Sequence, residues 1–257
     1  MSRRAVEMFL RRKQRVEESG PFWKQRSWQL SAGFLGVVVV LSIVAALTSA
    51  TDDTGDRARA AASVGPLSGA TVMKNGRPEG CDTDDSAGDT VPKAAPKNVS
   101  WRKLGVARVP VSSSAGPTRT EGVPWWCFAH TPIGAVLAAH IIPSQMSGPH
   151  WRTATEQQVV SGTGRDMFEF KRSVSQDVDP ETSGVSVATF AGYSVTSYTS
   201  KAATVRLLLR GEQGYAATSI VLRWSGGDWK IQPTGNGSLH SSASSVTSAA
   251  GFTLWGG

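Results

Sequence analysis

Residues 204–231 read TVRLLLRGEQGYAATSIVLRWSGGDWKI, and the fold of the chain turns on them. Val205, Leu207 and Leu209 alternate with Thr204, Arg206 and Arg210, and Ile220, Leu222 and Trp224 alternate with Val221 and Arg223. A period of two puts the apolar members on one face of a strand and the polar members on the other. Trp229 and Ile231 resume after Ser225-Gly226-Gly227-Asp228, a strong hairpin signal. With residues 185–199, rich in Val, Thr, Tyr and Phe, these segments predict antiparallel strands with one buried face.

Upstream the period changes. Thr131-Pro132 supplies an N-cap followed by proline at the first helical position. Ile133, Val136, Leu137, His140 and Ile141 then follow at helical spacing, which predicts a helix running to about Ile142 and stopping at Pro143. Thr153-x-x-Glu156 matches a capping box and predicts a second helix ending at Ser161-Gly162. A third spans residues 165–174, with Met167, Phe168 and Phe170 on its apolar side. Residues 106–111 read as a short edge segment, 112–120 as a turn-rich connection, and 251–257 (GFTLWGG) as a last apolar patch that docks back. Helices first and a meander afterwards predict an α+β domain over residues 99–257, its helices packed on a curved antiparallel sheet. Residues 51–98 contain no aromatic side chain and no sustained periodicity, and read as a flexible, disordered stalk. Within it, residues 82–88 resemble a calcium loop, but the positions that need Gly and Glu hold Ala87 and Lys93, so this is a solvated acidic stretch.

The charge sits at the other end. Of the formal net charge of +7, residues 1–27 carry +5, from eight basic and three acidic side chains. The other 230 residues have 19 basic and 17 acidic groups, so no basic face on the folded part calls for nucleic acid. No charge occurs between Ser27 and Thr51, and residues 34–47 (FLGVVVVLSIVAAL) are almost purely apolar. As a helix, residues 28–50 would be about 34 Å long, enough to cross a bilayer core of about 30 Å. Basic residues precede this stretch, while Asp52, Asp53 and Asp56 follow it. The positive-inside rule then gives a cytoplasmic tail (1–27), a single transmembrane helix (28–50) and an extracytoplasmic remainder. A second reading makes Leu47-Thr-Ser-Ala50 a signal-peptidase site; the long basic region and the long apolar run favour a signal anchor.

Several separated motifs resemble an actinobacterial single-pass membrane-protein family associated with integrative conjugative elements. They are Gly116-Pro117, Gly122-Val123-Pro124, His130-Thr-Pro-x-Gly-Ala135, Gly192-Tyr193, Leu222-Arg-Trp-Ser-Gly-Gly-Asp-Trp229 and Gly251-Phe-x-x-Trp-Gly-Gly257. The sequence departs from that family at Trp125-Trp126-Cys127, where a small residue or glycine is expected. More distantly, the order of elements is similar to the bitopic subunits of type IV secretion and conjugation channels. That likeness implies a nuclear-transport-factor-two-like or cystatin-like cone and a non-enzymatic structural or scaffold subunit of a conjugative DNA-transfer assembly. The implied partners are the membrane, further copies of the chain and other channel subunits, without direct nucleic-acid binding and without a cofactor. An alternative is an extracytoplasmic accessory binding module of a lipid or other envelope transport system; a secreted enzyme on the same fold is a third.

Chemistry argues against the third. From Val185 to Gln232 the only acids are Glu212 and Asp228, both beside glycines in predicted turns, and there is no histidine. A general base would have to come from His140, His150, Glu156, Asp166 or Glu169, so no catalytic residue is assigned. Cys127 and His130 have local spacing but nothing that indicates a depressed thiol pKa. His130, His140 and His150 lack a second ligand cluster, and no metal site is assigned. Cys81 and Cys127, the only cysteines, can form a disulfide in an oxidising compartment. Among nine tryptophans, Trp125, Trp126 and Trp255 are expected to be partly exposed and to mark an interface.

Overall fold

A computed structural model of the chain describes residues 66–67, 73, 76–175 and 188–256, all within the compact unit 58–257. The expected cytoplasmic tail and the transmembrane helix over 28–50 lie outside the described residues. Among the described residues no helix is long and apolar enough to cross a membrane. The elements are β1 (Val99–Leu104), β2 (Ala107–Ser112), α1 (Pro132–Gln145), α2 (Trp151–Gln158), α3 (Thr163–Val174), β3 (Thr189–Thr199), β4 (Ala202–Gly211), β5 (Gly214–Ser225), β6 (Asp228–Ile231), β7 (Ser244–Val246) and β8 (Thr253–Leu254). The architecture is α+β, with three helices against antiparallel sheets.

The large sheet runs β6-β5-β4-β3-β8, with β7 also paired to β5; β1 and β2 form a separate hairpin. Alternation places most of the apolar members inward as expected, but Leu209 and Trp224 are only half-buried, and Leu208, from the opposite face of β4, is fully buried. Val205, Leu207, Ile220 and Leu222 are buried, whereas Val221 is 42% exposed. Gly226 and Gly227 have φ of +65° and +80°, the paired left-handed conformation that turns β5 into β6 in two residues. Ser225 pairs with Asp228 and Trp224 with Trp229 across that turn. Register shifts between Phe190 and Gly192 and between Val195 and Ser197 interrupt the β3–β4 ladder, a device that increases local twist.

Helix α1 is the centre of the domain. Thr131 Oγ1 accepts from the Gly134 N–H at 3.3 Å, and Pro132 opens the helix where its missing N–H costs nothing. The spacing of large apolar residues predicts one buried stripe, yet Ala135, Val136, Leu137, Ala138, Ala139, His140, Ile141 and Ile142 are all fully buried. The reason is coverage from two sides: α1 touches β1 and β2 as well as β3, β4, β5 and β6. A helix apolar all round is stable only in such a position. The helix also continues through Pro143 to Gln145, because a proline in the last turn removes a single interior hydrogen bond.

The other two helices depart further from expectation. Helix α2 starts at Trp151 with His150 as an N-cap that makes no side-chain bond, so the Thr153-x-x-Glu156 box is interior and does not cap. Burial of Trp151 sets the start instead. Helix α3 buries no residue completely. Met167 and Phe170, expected on its inner side, are 37% and 64% exposed, and only Phe168 turns inward, edge-on to Trp151 at 6.2 Å.

Residues 76–98, expected as the end of the stalk, pack on the domain rather than standing off it. Arg77 and Cys81 are buried, Asp84 N–H donates to Ser114 O at 2.9 Å, and the Tyr193 hydroxyl donates to Ala94 O at 3.3 Å. Composition alone gave no sign of this, because polar and covalent links do much of the holding, with only small apolar contacts such as Pro78 and Ala95.

One close approach tests the central position of α1. A Cβ on Gly134 would lie 2.0 Å from Ala129 O and 2.7 Å from Ala129 C, both backbone atoms, whereas one on Gly148 would meet nothing nearer than 3.7 Å. Gly134→Ala is expected to lower unfolding stability by roughly 1–3 kcal/mol and Gly148→Ala to leave it nearly unchanged, as read from urea midpoints of the purified chain.

Candidate functional site

The β5–β6 turn delivers Asp228 into the protein, where it is fully buried. Its Oδ2 accepts from Cys127 N–H at 2.8 Å. Its Oδ1 accepts from Phe128 N–H at 3.0 Å and from its own neighbour Trp229 N–H at 2.9 Å. Burial pushes the carboxyl up to about 6, against the downward pull of these three N–H groups and of Arg77. The sequence reads Asp228 as an acid beside glycines in a hairpin turn. What buries it is residues 76–78 crossing over Gly227, whose added Cβ would lie 2.4 Å from Gly76 O, together with Cys127 and Phe128 from the loop before α1.

The same crossing segment brings in Arg77. Its guanidinium donates to Phe128 O at 2.9 Å and to Gly227 O at 3.3 Å, donates to Thr83 Oγ1, and lies 5.0 Å from the Trp224 ring centre. His130 stacks on Trp224 at 3.8 Å, and its Nε2–H donates to Ser200 O at 2.5 Å. Cys81 and Cys127 are joined in a disulfide with a Cα–Cα distance of 5.3 Å. Cys127 has φ of +72°, a conformation that favours glycine and costs other residues on the order of 1 kcal/mol. The disulfide and the bond to Asp228 hold it there. Cys127 is thus covalently committed, and His130 is occupied by Trp224 and Ser200, so the two do not form a nucleophile–base pair.

The three tryptophans expected at an interface are internal. Trp125, Trp126 and Trp255 are 9%, 7% and 8% exposed. Trp125 is fixed by a buried amide network: its N–H donates to Gln145 Oε1 at 2.7 Å and its carbonyl accepts from Gln158 Nε2 at 2.8 Å. Trp126 exchanges backbone hydrogen bonds with Arg119 and packs against the disulfide. Trp255 docks back as the apolar terminal patch predicts, with its backbone N–H on Ala191 O at 3.1 Å.

Docking of Trp255 explains His140. The indole Nε1–H donates to His140 Nε2 at 3.2 Å, and His140 Nδ1–H donates to Val136 O at 2.7 Å. Both ring nitrogens are engaged, and burial lowers the imidazole to about 4. The remaining candidate bases are scattered: His150, the N-cap of α2, and Asp166 of α3 are exposed, Glu156 of α2 is half-buried, and Glu169 pairs with Arg165 at 3.6 Å. Among the described residues no group of three or more His, Cys, Asp or Glu side chains is placed to hold a metal ion.

In front of Trp255 opens a cleft of about 550 Å³, walled by Trp101, Arg108, Phe190, Arg210, Leu254 and Trp255 among others. It lies where the β1–β2 hairpin, the start of β3 and the C-terminal strand meet. Trp101 meets Trp255 edge-on at 6.0 Å, and Phe190 meets His140 at 4.7 Å. The sequence singles out Trp255, and Arg210 as a polar strand residue; their meeting with Arg108 depends on how the hairpin folds back, which no local pattern encodes.

The family model described as Domain of unknown function (DUF8175) matches residues 62–254. The chain belongs to that family. The match takes in the segment bearing Arg77 and Cys81 as well as the sheet, in keeping with their shared fold. No curated protein and no solved structure matches the chain.

Two outcomes follow from this chemistry. The disulfide closes a loop between positions 46 apart, so Cys81→Ser with Cys127→Ser should cost about 4 kcal/mol of stability in the chain-entropy model; equal gel mobility with and without reductant would show that the bond does not form. The folded Asp228 keeps its proton up to about 6, against 3.8 for the free side chain, so its stabilising contribution is full at low pH and is lost as pH rises through about 6. His140 is lowered from 6.5 to about 4, so its contribution is full above 6.5 and is lost as pH falls through about 4. The two offset, and wild-type stability should change little between these limits. His140→Gln leaves Asp228 alone, and stability should then fall by roughly 2–3 kcal/mol as pH climbs across the same window, measured by urea unfolding.

Proposed function

We propose that the chain is a membrane-anchored, non-enzymatic scaffold subunit whose α+β domain lies outside the cytoplasmic membrane, in an assembly for conjugative, type IV secretion-like DNA transfer. The observation that carries the proposal is the disulfide between Cys81 and Cys127, because such bonds persist in oxidising compartments. It agrees, independently, with the charge asymmetry around the apolar stretch at 28–50. Asp228 and His140, the strongly perturbed acid and imidazole, hold backbone and indole groups in place, which suits a structural part. The motif resemblance supplies the link to conjugation. On this proposal the helices and the bulged β3–β4 ladder form the cone typical of nuclear-transport-factor-two-like subunits, and the partners are further copies of the chain and other channel components.

A second function, an accessory binding module of an envelope transport system, is favoured by the cleft beside Trp255. Deleting the gene and scoring mating separates the two. Loss of DNA transfer by several orders of magnitude, restored by the full chain but not by one lacking residues 1–50, is expected for the scaffold. Normal transfer without the gene removes it, as does recovery of only monomer after crosslinking in membranes with several chemistries.

A further inference from the structure

The cleft beside Trp255 has the composition of a ligand site. Its volume of about 550 Å³ falls in the range of small-molecule sites. Arg108 of β2 and Arg210 of β4 line it, and among the described residues no acidic side chain does. Both arginines are exposed, and among the described residues neither guanidinium takes part in an ion pair. The mouth is apolar: Val106 and Leu254, which are 41% and 50% exposed, both line the cleft. Large apolar side chains exposed next to two exposed guanidinium groups suit a molecule with an anionic head and a hydrocarbon body.

The wall is built in advance. Trp255 is held by His140 Nε2, by Ala191 O, and by the rings of Tyr193 at 4.7 Å and Trp101 at 6.0 Å. Preorganised walls reduce the ordering cost of binding. The same packing counts against single-stranded nucleic acid, because a stacking platform must offer an open ring face and Trp255 is only 8% exposed.

We infer that this cleft binds an anionic amphiphile, its carboxylate or phosphate on Arg108 and Arg210 and its tail along Val106, Phe190 and Leu254. The inference holds under either function proposed above, since binding is read on the purified chain and DNA transfer in cells.

The test uses the full chain in phosphatidylcholine nanodiscs with a diazirine-bearing palmitate. Illumination should leave adducts on peptides carrying Val106 or Leu254. Excess palmitate or lysophosphatidate should suppress those adducts, the stronger competitor identifying fatty acid or phospholipid as the source, while hexadecanol should not. Arg108→Ala with Arg210→Ala should weaken labelling of the cleft about tenfold, as expected for losing charge-assisted bonds, and leave labelling of peptides outside the cleft unchanged. If that pair melts early, each single variant carries the same comparison with a loss of about threefold. No adduct in the cleft, equal competition by hexadecanol, equal competition by inorganic phosphate alone, or displacement by oligo-dT at lower concentration than palmitate would each overturn the assignment.

Discussion

A buried carboxylate that accepts three backbone N–H groups ties the large sheet to the loop that leads into α1. Asp228 stands at the first position of β6, and two of its donors, Cys127 and Phe128, belong to the loop that leads into α1. Without it, three buried amides would lack acceptors, each at a cost of about 1–3 kcal/mol. Much else converges on that contact: the left-handed Cys127, the disulfide, Arg77 bridging Phe128 and Gly227, and the stacked His130 and Trp224. The sheet fixes where the carboxylate is, and the carboxylate fixes where α1 begins.

The division between what the sequence discloses and what it conceals follows from the range of the interactions. Strands β4 to β6, their glycine turn and the Thr131-Pro132 start of α1 are local events, and their residues announce them. Burial of α1 on all sides was not legible, since it depends on a hairpin some thirty residues earlier folding over it. Asp228 looks like any turn acid until Gly76 and Arg77 cross above it. Trp125, Trp126 and Trp255 suggest exposure because they stand beside polar or glycine-rich stretches; each is instead drawn inward by a specific partner, namely the Gln145–Gln158 amides, the disulfide and His140. Conversely, Met167 and Phe170 have helical spacing yet stay 37% and 64% exposed among the described residues.

The cleft beside Trp255 is equally non-local in origin. Its arginines come from β2 and β4, and its aromatic wall from β1, β3 and the last residues before the C-terminus. None of these segments is unusual alone. Together they combine positive charge with apolar surface in one concavity, on a domain whose net charge outside the first 27 residues is close to balanced. Local concentration of charge, and not the total, decides what such a surface attracts.

The covalent link at Cys81 also settles how the domain would bear a load. Tension applied from the amino-terminal direction reaches Cys81 and crosses to Cys127, four residues ahead of the Thr131 cap of α1. It therefore bypasses the β1–β2 hairpin and enters the structure at its most deeply packed helix. A pull that would otherwise unzip the hairpin strand by strand would meet the whole interior at once.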